Sequence, residues 1–166
     1  MRVFTTVSAG MVLALSLGAS AAFGQTNSAS ITATALVQQP INVTGAVQLD
    51  FGRVFPGVNK SVVVTSASAG RFDVTGQASA PANLSFVLPA TLTSAGNNLP
   101  IGSWAGHWNT TNNATTGTNF TPSAGLTPVT FSGTGGLFTF VGGTVTPAVS
   151  QAAGTYTGTV TLTVTY

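Results

Sequence analysis

The sequence has no cysteine. Disulfides and thiolate metal sites are thereby excluded, and packing and backbone hydrogen bonds must hold whatever fold forms. Charge is nearly as scarce, with Lys+Arg 4, Asp+Glu 2 and one His in 166 residues. The acids are Asp50 and Asp73, and past residue 24 the cations are Arg53, Lys60 and Arg71. The basic pI therefore rests on a very small net charge. Nucleic-acid binding needs clustered Lys and Arg to displace counterions, and no such cluster exists, so no nucleic-acid partner is expected. The same scarcity argues against catalysis. A Ser-His-Asp arrangement would have to use His107, and no Gly-x-Ser-x-Gly elbow is present. A glycosidase needs two placed carboxylates, and Asp50 and Asp73 each have an arginine close in sequence. One histidine and two aspartates make no convincing zinc or calcium shell. The expectation is a protein without catalytic residues, metal or cofactor.

Long hydrophobic runs are also missing. The one apolar stretch, residues 7–17, is shorter than the roughly 20 residues a membrane-spanning helix needs. It follows Met1 and Arg2 and precedes Ala19-Ser20-Ala21-Ala22-Phe23-Gly24. A positive start, a short apolar core and small residues are the pattern of a secretory signal peptide. The expectation is a signal peptide over 1–24, cut after Gly24 or a little earlier at Ala21 or Ala22. The protein would then be exported, to the periplasm, the cell surface or beyond, with no transmembrane span left. Residues 25–166 suffice for a single domain with a core, preceded by an N-terminal arm at 25–38.

In place of charge the chain carries Thr, Ser, Asn, Gln and Gly, with 10 Phe and many Val and Leu. Disordered chains are poor in large apolar residues and rich in charge, so ordered structure is favoured. Its period is two. Every odd position from Thr155 to Thr165 is threonine, while the even positions hold Tyr156, Val160, Leu162, Val164 and Tyr166, with a gap at Gly158. Side chains alternate faces along a strand, so this stretch has one hydroxyl face and one apolar face. A strand half-buried against a core is expected over 155–166.

The same alternation divides the rest. Residues 28–37 read as a strand or arm, with Ala29, Ile31, Ala33, Ala35 and Val37 on one face, closed by Gln38-Gln39-Pro40. Residues 41–51 read as a first core strand, bulged at Gly45. Pro56-Gly57 makes a turn. Strands are expected at 61–66, at 71–75 with Phe72 and Val74 inward, and at 84–88, with Ala80-Pro81-Ala82-Asn83 as a connection. The centre should hold one short strand near 101–108 and an irregular loop from Asn109 to Gly125. Strands resume at 129–132 and 137–141, and Gly142-Gly143 separates the latter from 144–146. Short strands at such spacing, punctuated by Gly, Pro and Asn, indicate an all-β sandwich or barrel.

Several pieces carry a family resemblance: Pro40-Ile41, Leu49-Asp50-Phe51-Gly52, Val141-Gly142-Gly143-Thr144 and Gln151-Ala152-Ala153-Gly154-Thr155-Tyr156-Thr157-Gly158-Thr159-Val160. They are similar to the exported bacterial "domain of unknown function 4402" family and, more distantly, to spore coat protein U-like and chaperone–usher pilin subunits. The resemblance implies an immunoglobulin-like (pilin-like) antiparallel β-sandwich. In the pilin relatives the last strand is missing and a neighbouring subunit donates it. The chain lacks the cysteine pair of typical pilins and a glycine among the apolar positions of its arm.

The function expected is structural: an exported subunit of a fimbria-like or coat-like surface assembly. Its partners would be further subunits joined by strand addition, with a periplasmic chaperone and usher. The candidate interaction residues are Ile31, Ala33, Ala35 and Val37 of the arm, and Val164 and Tyr166 at the C-terminal edge. Trp104, His107 and Trp108 sit beside a polar loop, where aromatic rings could stack on sugars. That stretch carries the alternative of a self-contained secreted adhesin, although the two tryptophans suit core caps under the loop better. A small outer-membrane β-barrel is the remaining alternative, opposed by short apolar strand faces and missing aromatic girdles.

Overall fold

The computed structural model describes residues 26–166, so the expected signal peptide over 1–24 lies outside the described residues. The chain divides into two units at Ala35 and Leu36. In the first, residues 26–35 form no strand and every side chain is exposed. Of the two readings of 28–37, a strand or an arm, the described residues show no strand. The segment's apolar side chains are mostly alanines, and a lone strand with so little surface to bury does not hold itself together.

The second unit, Leu36–Tyr166, contains ten antiparallel strands and no helix. They are β1 (Asn42–Val47), β2 (Lys60–Val62), β3 (Gly70–Thr75), β4 (Pro81–Val87), β5 (Thr91–Ser94), β6 (Asn97–Asn109), β7 (Thr118–Phe120), β8 (Thr127–Thr130), β9 (Gly136–Val145) and β10 (Thr161–Thr165). One seven-stranded sheet runs β1-β3-β9-β6-β5, with β2 also paired to β9 and β7 also paired to β6. A second, three-stranded sheet runs β10-β4-β8. The result is a curled, sandwich-like fold of two open sheets.

Alternation decides which side chains lie between the sheets. Leu84 and Phe86 of β4 meet Val74 of β3, Leu137 and Val141 of β9, Val129 of β8 and Leu162 of β10 in the main core. Phe86 is central, with its ring edge-on to Phe72 at 6.4 Å and tilted against Phe120 at 5.7 Å. A smaller cluster of Leu99, Ile101 and Val145 packs with Phe51, Val54, Leu92 and Tyr156, and Trp104 touches both clusters. The alternation expected for 155–166 holds in β10, where Leu162 is buried, Val164 half-buried, and Thr161, Thr163 and Thr165 exposed.

Several boundaries depart from the sequence reading. The expected strand at 41–51 ends at Val47, after a register shift between Gly45 and Val47 where a bulge was expected. That at 61–66 shrinks to β2, because residues 63–69 turn the chain toward β3. β4 begins at Pro81, inside the stretch read as a connection. Proline is tolerated there because it is the first strand residue. The two strands expected on either side of Gly142-Gly143 are one, β9. A β-carbon at Gly142 would strike the Val62 carbonyl oxygen, and one at Gly143 would lie 3.2 Å from the Trp104 ring. These glycines let neighbours close in on a continuous strand.

The centre is more ordered than expected. β5 and β6 form a hairpin through Ala95 and Gly96, both with positive φ, as a two-residue turn of the primed type requires. β7 adds to β6 beyond it. The last stretch is not one strand either. Thr157 bridges Thr93 of β5, and only from Thr161 does the chain pair with β4 in the other sheet.

Candidate functional site

The candidate site is the place where the sheets end side by side. β1 closes one end of the seven-stranded sheet, β10 closes one end of the three-stranded sheet, and the two are in contact without pairing. Backbone directions along the two strands follow from hydrogen bonds elsewhere. In an antiparallel strand the N–H and C=O of one residue point to the same side, and successive residues alternate. The Phe86 N–H donates to the Ser123 carbonyl at 2.8 Å and the Phe131 N–H to the Ala80 carbonyl at 3.0 Å. Even-numbered residues of β4 thus face β8, and its odd ones bond β10 through Thr161, Thr163 and Thr165. The N–H and C=O groups of Leu162 and Val164 then point to the outer, unpaired edge of β10.

The same reasoning applies to β1. The Gly76 N–H donates to the Gly135 carbonyl at 2.9 Å, which turns the even residues of β3 toward β9 and the odd ones toward β1. Thr75 and Asp73 bond Asn42 and Thr44, leaving the backbone of Val43 and Gly45 facing outward. Between these two edges the core is only half covered. Ile41 and Val43 on one side and Val160 and Val164 on the other pack against the main cluster while keeping partial exposure. The seam therefore offers backbone donors and acceptors, unpaired among the described residues, over an apolar floor. In general, strand addition takes place at exposed sheet edges.

One end of the seam is tied by the last residue. The Tyr166 hydroxyl donates to the Gln39 carbonyl and accepts from the Gln77 N–H at 2.7 Å. The Gln39 N–H donates to Gln77 Oε1 at 3.2 Å, and the Tyr166 ring tilts against Phe131 at 6.1 Å. The chain is thus fastened at Gln39, just before β1. Upstream, Ile31 and Val37 are 95% and 90% exposed, and Ala33 and Ala35 are exposed as well.

Trp104, His107 and Trp108 lie elsewhere, on β6. Trp104 and Trp108 turn inward, half-buried, and pack on the core clusters. His107 is on the opposite face, buried against Phe140, with Nδ1 2.7 Å from Asn119 Oδ1 and Nε2 2.6 Å from the Thr116 carbonyl. Asn109 fixes the same loop, donating from Nδ2 to the Asn113 carbonyl at 2.9 Å and to Thr116 Oγ1 at 3.0 Å. Arg71, ion-paired to Asp73 at 2.8 Å, donates to Asn112 Oδ1 at 3.2 Å. These polar groups hold residues 110–117 over the outer face of the sheet. The sequence reading placed Val164 and Tyr166 at an edge but missed Ile41, Val43 and Val160. Their apolar character was legible, but their common seam depends on strand order.

Among known families, the model described as "Domain of unknown function (DUF4402)" matches residues 41–166, from the residue before β1 to the end of β10 and Tyr166. No curated protein matches the chain.

Proposed function

The chain belongs to the DUF4402 family, and on that premise we propose that it is an exported structural subunit of a fimbria-like or coat-like surface assembly. In this reading copies join by strand addition, the arm over 25–37 of one copy pairing with the β10 edge of the next. The observation that carries it is the edge of β10 beside the edge of β1, both unpaired among the described residues, in a chain whose residues 26–37 form no strand. Strand order supports an immunoglobulin-like topology. Taken in chain order, β1, β3, β4, β6, β9 and β10 fall into the sheets β1-β3-β9-β6 and β4-β10. An immunoglobulin sandwich places its strands A, B, C, D, E and F in the same arrangement, with G beside F. The place of G is the outer edge of β10, where nothing is paired among the described residues.

The arm suits that place. Ala29, Ile31, Ala33, Ala35 and Val37 share one face of an extended chain and could lie on Ile41, Val43, Val160 and Val164. Its backbone would satisfy Leu162 and Val164. Weak surface charge opposes contact between copies very little. The inward packing of Trp104 and Trp108 favours this reading over a carbohydrate-binding one.

The test is removal of residues 25–37. The truncated protein should fold, fail to polymerise, and regain slow hydrogen exchange at Leu162 and Val164 when the arm peptide is supplied in trans. In the full chain, arm protection should rise with protein concentration. Protection that is independent of dilution, in a species confirmed as monomeric, would place the arm in its own subunit and end the proposal.

A further inference from the structure

A second surface lies away from the seam. Phe55, Pro56, Gly57 and Val58 form a tight turn in which the Val58 N–H donates to the Phe55 carbonyl at 3.1 Å and Gly57 takes φ +73. A second turn, with the Gln151 N–H on the Ala148 carbonyl at 3.0 Å, comes from far along the chain. The two are locked together, since the Gly57 N–H donates to the same Ala148 carbonyl at 3.1 Å. A β-carbon at Gly57 would lie 2.9 Å from Val149 Cγ1. The joined turns expose three large apolar side chains, Phe55 at 67%, Val58 at 57% and Val149 at 88%. Single exposed apolar residues are ordinary, but a rigid double turn that gathers several of them marks an interaction site.

Charge indicates what the site meets. Arg53 stands two residues before Phe55 and Lys60 two residues after Val58, and both are exposed. The ion pair among the described residues is Arg71 with Asp73, so both flanking cations are uncommitted. Residues 51–60 and 146–153 contain no acid. The nearest acid in sequence, Asp50, accepts from the Gly52 N–H at 2.7 Å. An apolar tip flanked by two cations, with no anion between them, is complementary to an anionic lipid surface. Apolar side chains enter the boundary between headgroups and acyl chains while Lys and Arg meet the negative headgroups.

We propose that the double turn of Phe55, Val58 and Val149, flanked by Arg53 and Lys60, docks the protein on anionic bilayer surfaces. The site is independent of the β10 edge, so a subunit could rest on a membrane and still accept a strand.

The experiment is co-sedimentation of the exported chain with phosphatidylcholine vesicles, with and without one-third phosphatidylglycerol. The wild type should bind the anionic vesicles and lose binding as salt rises. Phe55→Ser combined with Val149→Ser should weaken binding more than tenfold, and Arg53→Gln or Lys60→Gln by about fivefold each. The protein is prepared as residues 25–166, the exported form proposed above, so the apolar run at 7–17 adds nothing to vesicle binding. Each changed side chain is exposed, and an unchanged melting temperature checks that the fold survives. Equal binding to both vesicle types, or undiminished binding by the Phe55/Val149 variant, would overturn the proposal. So would a change in oligomeric state caused by that variant without vesicles, which would make the tip a contact between copies.

Discussion

β9 and β10 are written in nearly the same alphabet, yet they sit in opposite circumstances. β9 is paired along both edges, to β3 and β2 on one side and to β6 on the other. Its inward residues Leu137, Thr139, Val141 and Val145 are 0–1% exposed, and Phe140 is buried on its other face. β10 is paired along one edge only, its hydroxyl face is bare, and of its apolar residues only Leu162 is buried. The difference teaches what a strand contributes by position. β9 is the keel of the sandwich, whereas β10 closes the core on one side and has its other edge unpaired among the described residues.

The largest effect should come from placing the same charge in both strands. Leu137→Asp puts an unpaired carboxylate where no water reaches, at a cost of about 4–5 kcal/mol or more against a typical total of ~5–15. No folded protein should be recovered. Leu162→Asp lies next to the open seam and should cost about 3 kcal/mol, because the carboxylate can approach solvent through that edge. Thr161→Asp, on the exposed face, should cost no more than about 1 kcal/mol. Chemical denaturation of the three variants checks this ranking. Equal damage at Leu137 and Leu162 would mean that β10, like β9, is enclosed on both sides.

That ranking also shows what the sequence alone could convey. The two faces of β10 were legible because one is solvated, and alternation is clearest where water meets one side. β9 was read as two pieces because a glycine pair resembles a break. Only the approach of the Val62 carbonyl and the Trp104 ring explains it, and both come from other strands. β5 and β7 were missed for a related reason. Thr-Leu-Thr-Ser and Thr-Asn-Phe are too short to show a period, and β6 recruits them as neighbours. Trp104 and Trp108 drew attention as aromatics near a polar loop, but strand parity sends them inward and His107 outward. Edges are the least legible feature of all. Whether Leu162 has a free backbone depends on which strands lie beside it, and no local pattern encodes that.

A smaller effect of opposite sign should sharpen the comparison. Thr139 in β9 is 0% exposed, and its hydroxyl has no hydrogen-bond partner. Thr139→Val keeps the branched shape and removes the unsatisfied oxygen, so stability should rise by about 1 kcal/mol. Thr163→Val in β10 should leave stability within about 0.5 kcal/mol, since its hydroxyl already meets water. Urea midpoints of the two variants measure the contrast. A loss of stability in Thr139→Val would show that the buried hydroxyl has a partner, such as an enclosed water.

The smallest effect is expected at the end of β10. Tyr166→Phe keeps the ring against Phe131 but removes the oxygen that donates to the Gln39 carbonyl and accepts from the Gln77 N–H. The residue is 42% exposed, so water can replace both bonds, and the net loss should be about 1 kcal/mol or less. Global stability is therefore a poor readout, and local exchange is the informative one. Gln77 loses the acceptor of its amide, so its hydrogen exchange should quicken in the variant. Gln39 loses the hydroxyl that fixes its carbonyl, so the chain entering β1 should loosen, and the Ile41 amide should follow. The amides of Leu137 and Val141 should not change, because opening at an edge does not require the sheet centre to open. Uniform acceleration at every site would mean that Tyr166 supports the whole sandwich. Unchanged exchange at Gln77 would mean that the hydroxyl does not hold the root of the arm, and the arm would then leave the seam free to choose its direction.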